Sequence, residues 1–188
     1  MSERKQQILA VAAEILENKS FAAFSYQDLA DRLGIRKASI HHHFPSKDEL
    51  GVELLKFFEV RANTLMGEIV GGASSPGEAL RAIFSKCEQV LLDGEAKVCP
   101  SAAFEIDARN LSPAVIDQLR SSSVSWQKQL AQLLDEARRA GDIAFLGDVH
   151  DQAATIANAL QGARISEAIM GRDHFRGVVR QLQRSLGL

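Results

Sequence analysis

The segment SYQDLADRLGIRKASIHHHFPSKDEL, residues 25–50, decides the fold of this chain. Asp28 follows Ser25 at the spacing of a capping box, so the sequence predicts a helix that begins after Ser25. Gly34 ends that helix, because glycine adopts the left-handed conformation of a helix C-terminus at little cost. A second helix begins near Lys37. Two short helices about a glycine turn indicate a helix-turn-helix, in which the second helix enters the major groove of DNA.

The remainder of the chain is patterned as further helices. Ser46 and Glu49 form a second capping box that predicts a long helix, and apolar residues then recur at helical spacing towards the C-terminus. The sequence contains no strand-like alternation and no internal repeat. We therefore predict an all-α fold. Helices are expected in residues 1–19, 25–34, 37–44, 46–70, 76–93, 100–108, 113–140, 148–170 and 173–186.

Three motifs, LADRLGI, KASIHHHF and PSKDEL, follow one another in an order and spacing that resemble the N-terminal domain of the TetR family of bacterial transcriptional regulators. The resemblance implies a three-helix helix-turn-helix DNA-binding domain in residues 1–48. It implies a helical effector-binding and dimerisation domain in residues 49–188, and about nine helices in all. It further implies a repressor that a small-molecule effector releases from double-stranded operator DNA.

A homodimer is expected because, in the family, the last two helices pair with those of a second subunit. The penultimate helix carries several alanines and Gly162, and small residues let helices approach closely. A protein that binds a two-fold symmetric DNA site also needs two recognition helices about 34 Å apart. The alternative is that this helix packs only within one subunit.

The DNA-contacting side chains follow from the helical periodicity of the second helix-turn-helix helix. Ile40 and Phe44 lie one turn apart on the inner side, so the remaining positions face outward. By the resemblance, Lys47 corresponds to a phosphate-contacting lysine, and His41 stands where the family usually has a tyrosine. The alternative is an ordinary solvated helix face. The predicted DNA-binding residues are Ser25, Arg36, Lys37, Ala38, Ser39, His41, His42 and Lys47.

The consecutive histidines at positions 41–43 raise the question of a metal site. Consecutive helical residues diverge by about 100°, so these three side chains cannot converge on one ion. We predict no metal and no cofactor. The sequence also lacks a glycine-rich nucleophile elbow and a phosphate-binding loop, and we therefore predict that the protein is not an enzyme.

An effector pocket in the larger domain is implied by the resemblance alone. Its candidates come from the helices that enclose the cavity in the family. The alternative for each of them is a packed core or surface position, because aromatic residues at helical spacing are usually core residues. The candidate pocket residues are Phe57, Arg61, Phe84, Cys87, Phe104, Trp126, Leu130 and Arg164.

Cys99 is a candidate redox sensor. It lies beside Lys97, directly before a helix predicted to begin at Pro100. A thiol at a helix N-terminus near a cation can react with electrophiles or oxidants. Some branches of the family sense electrophiles through a cysteine in this region. The alternative is a small buried apolar residue.

Composition limits the remaining classes. The chain has 188 residues, a formal net charge of −2 and two cysteines, so neither a globally basic nucleic-acid binder nor a disulfide scaffold is indicated. No stretch approaches the roughly 20 apolar residues of a membrane span, and we expect a cytoplasmic protein. Two rivals stay open. One is a TetR-like architectural protein that acts through a protein partner, and the other is an enzyme or carrier with a vestigial DNA-binding domain.

Overall fold

The computed structural model describes residues 2–16, 19–92 and 100–188, without the side chains at 90–92 and 100. Within these residues the chain forms nine α-helices, one short 3-10 helix at Ala108–Asn110, and no strand. The predicted all-α class is confirmed, and each predicted helix is present. The helices are α1 Glu3–Leu16, α2 Tyr26–Leu33, α3 Lys37–His43, α4 Lys47–Gly72, α5 Pro76–Leu92, α6 Pro100–Glu105, α7 Pro113–Ala140, α8 Val149–Met170 and α9 Arg172–Leu186.

Local capping sets the ends of these helices. The Ser25 side chain accepts a hydrogen bond from the Asp28 amide, and the Asp28 carboxylate accepts one from the Ser25 amide, which completes the capping box of α2. Gly34 ends α2 with a φ of 65°, in the left-handed region that favours glycine. At α8, the carboxylate of Asp148 accepts hydrogen bonds from the amides of the first turn.

The chain divides into two compact units. The first comprises Met1–Arg61 and Val98–Ser123, and the second comprises Ala62–Lys97 and Val124–Leu188. Helices α4 and α7 each contribute residues to both units. The predicted DNA-binding domain of residues 1–48 and effector domain of residues 49–188 are functional domains, and their boundary stays a prediction. The compact units are divided differently, because α6 and the beginning of α7 belong to the same unit as the helix-turn-helix.

Each unit has its own apolar core. In the first unit, side chains from α1, α2, α3, α6 and the adjoining parts of α4 and α7 pack together. In the second, the core comes from α5, α8, α9 and the remaining parts of α4 and α7. The largest fully buried side chains include Phe24, Phe44 and Phe104 in the first unit, and Phe84 and Phe175 in the second.

None of the helices in the described part of the chain combines the length and the apolar character needed to cross a membrane.

Candidate nucleic-acid interface

The outer face of α3 is exposed and mostly polar. Ile40 is fully buried in the first core and fixes which side of the helix faces inward. The side chains that the periodicity places outward are accordingly exposed. They are Arg36, Lys37, Ala38, Ser39, His41 and His42.

Tyr26 holds α3 in place, and sequence reasoning missed it. Its hydroxyl lies 2.8 Å from the carbonyl oxygen of Phe44 and 2.6 Å from that of Ser46, and it donates to this pair of acceptors. Its ring lies 4.5 Å from the ring of His41. One side chain at the start of α2 therefore links the end of α3 to the beginning of α4. The tyrosine in this motif, at the first helical position after a capping serine, was the available signal.

Lys47 lies at the first position of α4 and is half-buried. Its Nζ donates to the carbonyl oxygen of Ala22 at 3.0 Å and lies 4.9 Å from the centroid of the Phe21 ring. Burial lowers the pKa of Lys47, and the nearby carboxylates, Asp107 foremost, oppose that change. The ammonium is thus held in a defined position, with two further N–H donors besides the one directed at Ala22.

Ser25 lies at the N-terminus of α2, and its hydroxyl serves the capping box. Its Oγ donates to Asp28 Oδ2 at 2.7 Å. Lys19 Nζ binds the other oxygen of the same carboxylate at 2.7 Å. The hydrogen bond from Lys19, followed by those from Ser25, lowers the pKa of Asp28 to about 2. A DNA contact by Ser25 stays a prediction.

Two family models together match most of the chain. Residues 8–54 match the family model described as "Bacterial regulatory proteins, tetR family". Residues 76–182 match the model described as "Tetracyclin repressor-like, C-terminal domain". The chain belongs to the TetR family. It is therefore a transcriptional regulator whose helix-turn-helix lies in α2 and α3, as the motifs predicted.

Individual TetR-family proteins resemble the chain at moderate identity. The HTH-type transcriptional repressor KstR2 of Mycobacterium tuberculosis is 26% identical over 141 residues, which span 72% of this chain and 69% of that repressor. The nucleoid occlusion factor SlmA of a Marinomonas species is 33% identical over 69 residues, 37% of this chain and 35% of SlmA. A TetR-family transcriptional regulator from Agrobacterium tumefaciens has 27% identity and a TM-score of 0.91, covering 97% of both chains.

The predicted pocket residues of this TetR-family chain are divided between the two units. Phe84 and Leu130 are buried in the second core, and Cys87 and Trp126 pack against it. Phe104 is fully buried in the first core instead, where its ring stacks on Phe21 at 4.4 Å. The structure thus brings Phe84, Cys87, Trp126 and Leu130 to one core and places Phe104 in the other. Arg164 is half-buried on α8.

Phe57 and Arg61 line an open groove in the first unit. The groove lies between α1 and α4 and has a volume of about 950 Å³. The Arg61 guanidinium lies 5.6 Å from the centroid of the Phe57 ring. Most other lining side chains are polar or charged, with both signs represented. They are Glu3, Arg4, Gln6, Gln7, Leu9, Ala10, Glu53, Lys56 and Val60.

The candidate redox sensor Cys99 lies outside the described residues. Its proposed reactivity therefore stays a prediction from the sequence. Within the described residues, no group of three or more His, Cys, Asp or Glu side chains is placed to hold a metal ion.

Proposed function

We propose that this TetR-family regulator is a homodimeric repressor that binds a two-fold symmetric operator and is released by a small-molecule effector. One observation carries the proposal: the outward side chains from Arg36 to His42 are exposed together on a helix that Tyr26 fastens to the start of α4. A helix anchored in this way can be presented to the major groove as a rigid reader.

The exposed residues of α3 and the half-buried Lys47 divide into two roles. Lys37 and Lys47 contact backbone phosphates, and the positive end of the α4 helix dipole, next to Lys47, adds to the attraction for phosphate. Arg36 and Ser39 lie towards the N-terminal end of α3, from which recognition helices contact base edges. Ala38, His41 and His42 complete the outer surface, and His42 donates or accepts a hydrogen bond according to its tautomer.

Dimerisation through α8 and α9 is supported by the outer face of α8. Ile165 and Ile169 are 44% and 87% exposed, although both are large and apolar. Asn158 and Gly162 precede them on the same side at helical spacing, and both are exposed. Apart from the neighbouring backbone of α8 itself, no described atom lies within 4 Å of a Cβ built at Gly162, so a second helix can approach there. Exposed large apolar residues next to a small residue are typical of a protein interface.

Effector binding is proposed for the second unit, near Phe84, Cys87, Trp126 and Leu130, with Arg164 as a charged contact. In this proposal the effector tilts α4, whose first residue is Lys47. A change in the separation of the two recognition helices then breaks their register with the half-sites. Trp126 is the single tryptophan of the chain, so its fluorescence can report occupancy of this region.

The test begins with selection of bound duplexes from a random library at stated salt. A palindrome with half-sites about one helical turn or more apart supports the proposal, and no enrichment contradicts it. On the selected operator, Lys37→Gln should reduce the slope of log affinity against log salt by about 1. Lys128→Gln is the matched control, because Lys128 is exposed on α7 in the second unit. An equal effect of both variants would contradict the assigned surface.

The effector part is tested separately on the operator complex. Candidate compounds that quench Trp126 fluorescence should also release the operator, and Phe84→Ala should weaken both effects together. Release without any change in the Trp126 signal would place the effector elsewhere.

A second candidate is a DNA-binding protein that acts through a protein partner without a small effector. It is motivated by the similarity to the nucleoid occlusion factor SlmA, which is 33% identical to this chain over 69 residues. Absence of release by any compound, together with specific recovery of one protein on operator-bound beads, would support this alternative.

A further inference from the structure

The loop between α1 and α2 is held by two residues of α6, Ala103 and Phe104, and by Asp107, which follows that helix. The Phe21 amide donates to the carbonyl oxygen of Ala103 at 3.0 Å. The next amide, that of Ala22, donates to Asp107 Oδ2 at 2.6 Å. The Phe21 ring stacks on Phe104 at 4.4 Å. Two successive amides and one ring of the loop are therefore fixed by residues about 85 positions away in the sequence.

The beginning of α4 packs against the other side of the same loop. The carbonyl oxygen of Ala22 accepts a hydrogen bond from Lys47 Nζ at 3.0 Å, and the ammonium lies 4.9 Å from the Phe21 ring centroid. A Cβ built at Gly51 would lie 2.7 Å from Phe21 Cζ, so the backbone of α4 touches this ring closely. The loop therefore packs between the beginning of α4 on one side and residues 103–107 on the other.

We propose that Asp107 is a positioning residue for operator binding, because it fixes the Ala22 carbonyl that orients the ammonium of Lys47. This inference rests on the proposed function, in which Lys47 contacts an operator phosphate. Asp107 itself touches no DNA in the proposal and acts only through the loop.

The chemistry favours such a role. A lysine side chain has four rotatable bonds, and ordering it for a phosphate contact opposes binding unless the free protein already restrains it. The bond to Ala22 uses one of the three ammonium donors and leaves two for phosphate oxygens. Asp107 strengthens this restraint twice, by fixing the acceptor loop and by attracting the Lys47 charge.

A purely structural role for Asp107 gives different results. If Asp107 only stabilised the loop, its removal would lower operator affinity whether or not Lys47 were present. If it positions Lys47, its removal has no further effect once Lys47 has lost its charge. A double-mutant cycle separates these cases.

The experiment measures affinity for the selected operator at several salt concentrations, with the full-length chain. Asp107→Ala should weaken binding about threefold to tenfold, the range of one lost hydrogen bond. Its salt slope should fall towards that of Lys47→Met. Asp107→Asn should restore affinity to within about twofold, since the amide oxygen still accepts from Ala22. Adding Asp107→Ala to Lys47→Met should change affinity no further.

Asp142→Ala is the matched control, because Asp142 also accepts a backbone hydrogen bond, from Gly77 at 2.8 Å in the second unit. It should leave operator affinity unchanged. If Asp107→Ala does not fold, Asp107→Ser replaces it with the same expectations. Wild-type affinity in Asp107→Ala would overturn the inference, and so would an equal further loss when Asp107→Ala is added to Lys47→Met. Failure of the wild-type chain to select any operator would instead overturn the proposed function.

Discussion

Tyr26 allows the structure to be tested by one alkaline titration. Its side chain is 6% exposed, and burial, followed by the carboxylates of Glu49 and Asp48, raises its pKa to about 12. The ordinary value is 10.0. A difference of about two pKa units corresponds to roughly 2 to 3 kcal/mol of linkage between phenol ionisation and folding.

The sign follows from the neutral form of the phenol. Because the folded state holds the proton of Tyr26 more tightly than the unfolded state, its contribution is fully present below pH 10. It is lost as the pH rises towards 12. Tyr26 is the single tyrosine of the chain, so phenolate absorbance reports this residue alone. The folded protein should titrate near 12 and the urea-unfolded protein near 10. A folded-state midpoint near 10 would refute the buried, hydrogen-bonded position of the hydroxyl.

The variant Tyr26→Phe tests the same contact at neutral pH. It keeps the ring and removes the donor shared by the Phe44 and Ser46 carbonyls. We expect a loss of about 1 to 2 kcal/mol in the free energy of unfolding, seen as a melting temperature lower by roughly 2 to 6 °C. The stability of the variant should also show a weaker dependence on pH between 10 and 12. An unchanged melting temperature would mean that the hydroxyl does not join α3 to α4.

Three further predictions concern other parts of the chain. Gly51→Ala should destabilise the fold by about 1 to 3 kcal/mol in thermal melts, because its Cβ would lie 2.7 Å from a buried aromatic ring. Gly67→Ala on the same helix has no described atom within 4 Å of the new Cβ and should stabilise by up to about 1 kcal/mol; equal effects would contradict the packing. Asp28→Asn should lower stability at neutral pH by about 1 kcal/mol, a value reduced for solvent screening. Because the folded pKa of Asp28 is lowered to about 2, its contribution is present above about pH 4 and is lost as the pH falls towards 2, so the variant should have a flatter acid limb. Ile169→Glu should convert the proposed homodimer to a monomer in sedimentation experiments, whereas Leu146→Glu, at a 99% exposed position of the same unit, should not. A dimer that persists in Ile169→Glu would exclude this interface.

Helix ends were predictable because capping depends on residues within about four positions of each other. Ser25 with Asp28, and the left-handed Gly34, have the geometry that their spacing predicts. The outward face of α3 was predictable for a similar reason, since Ile40 and Phe44 specify one side of a helix by periodicity alone. Both are buried, and the face opposite them is exposed.

Helical periodicity did not predict which of the two cores each candidate pocket residue belongs to. Phe84 and Phe104 are both buried aromatic residues on predicted helices, yet they belong to different cores. Helical spacing specifies which side of a helix is apolar, whereas the neighbouring helix that covers that side depends on the path of the whole chain.

The sequence by itself determined the order of the helices, the capped ends of α2 and the outward face of α3, because each depends on local capping and periodicity. The ends of α1 and α6 differ from the prediction, since these helices stop at Leu16 and Glu105 and not at residues 19 and 108. The tertiary structure alone decided that the Tyr26 hydroxyl joins α3 to α4, and that Asp107 reaches the Ala22 amide across 85 positions. Such contacts form only when distant segments pack together, and a buried donor or acceptor then takes whichever partner the packing brings within reach.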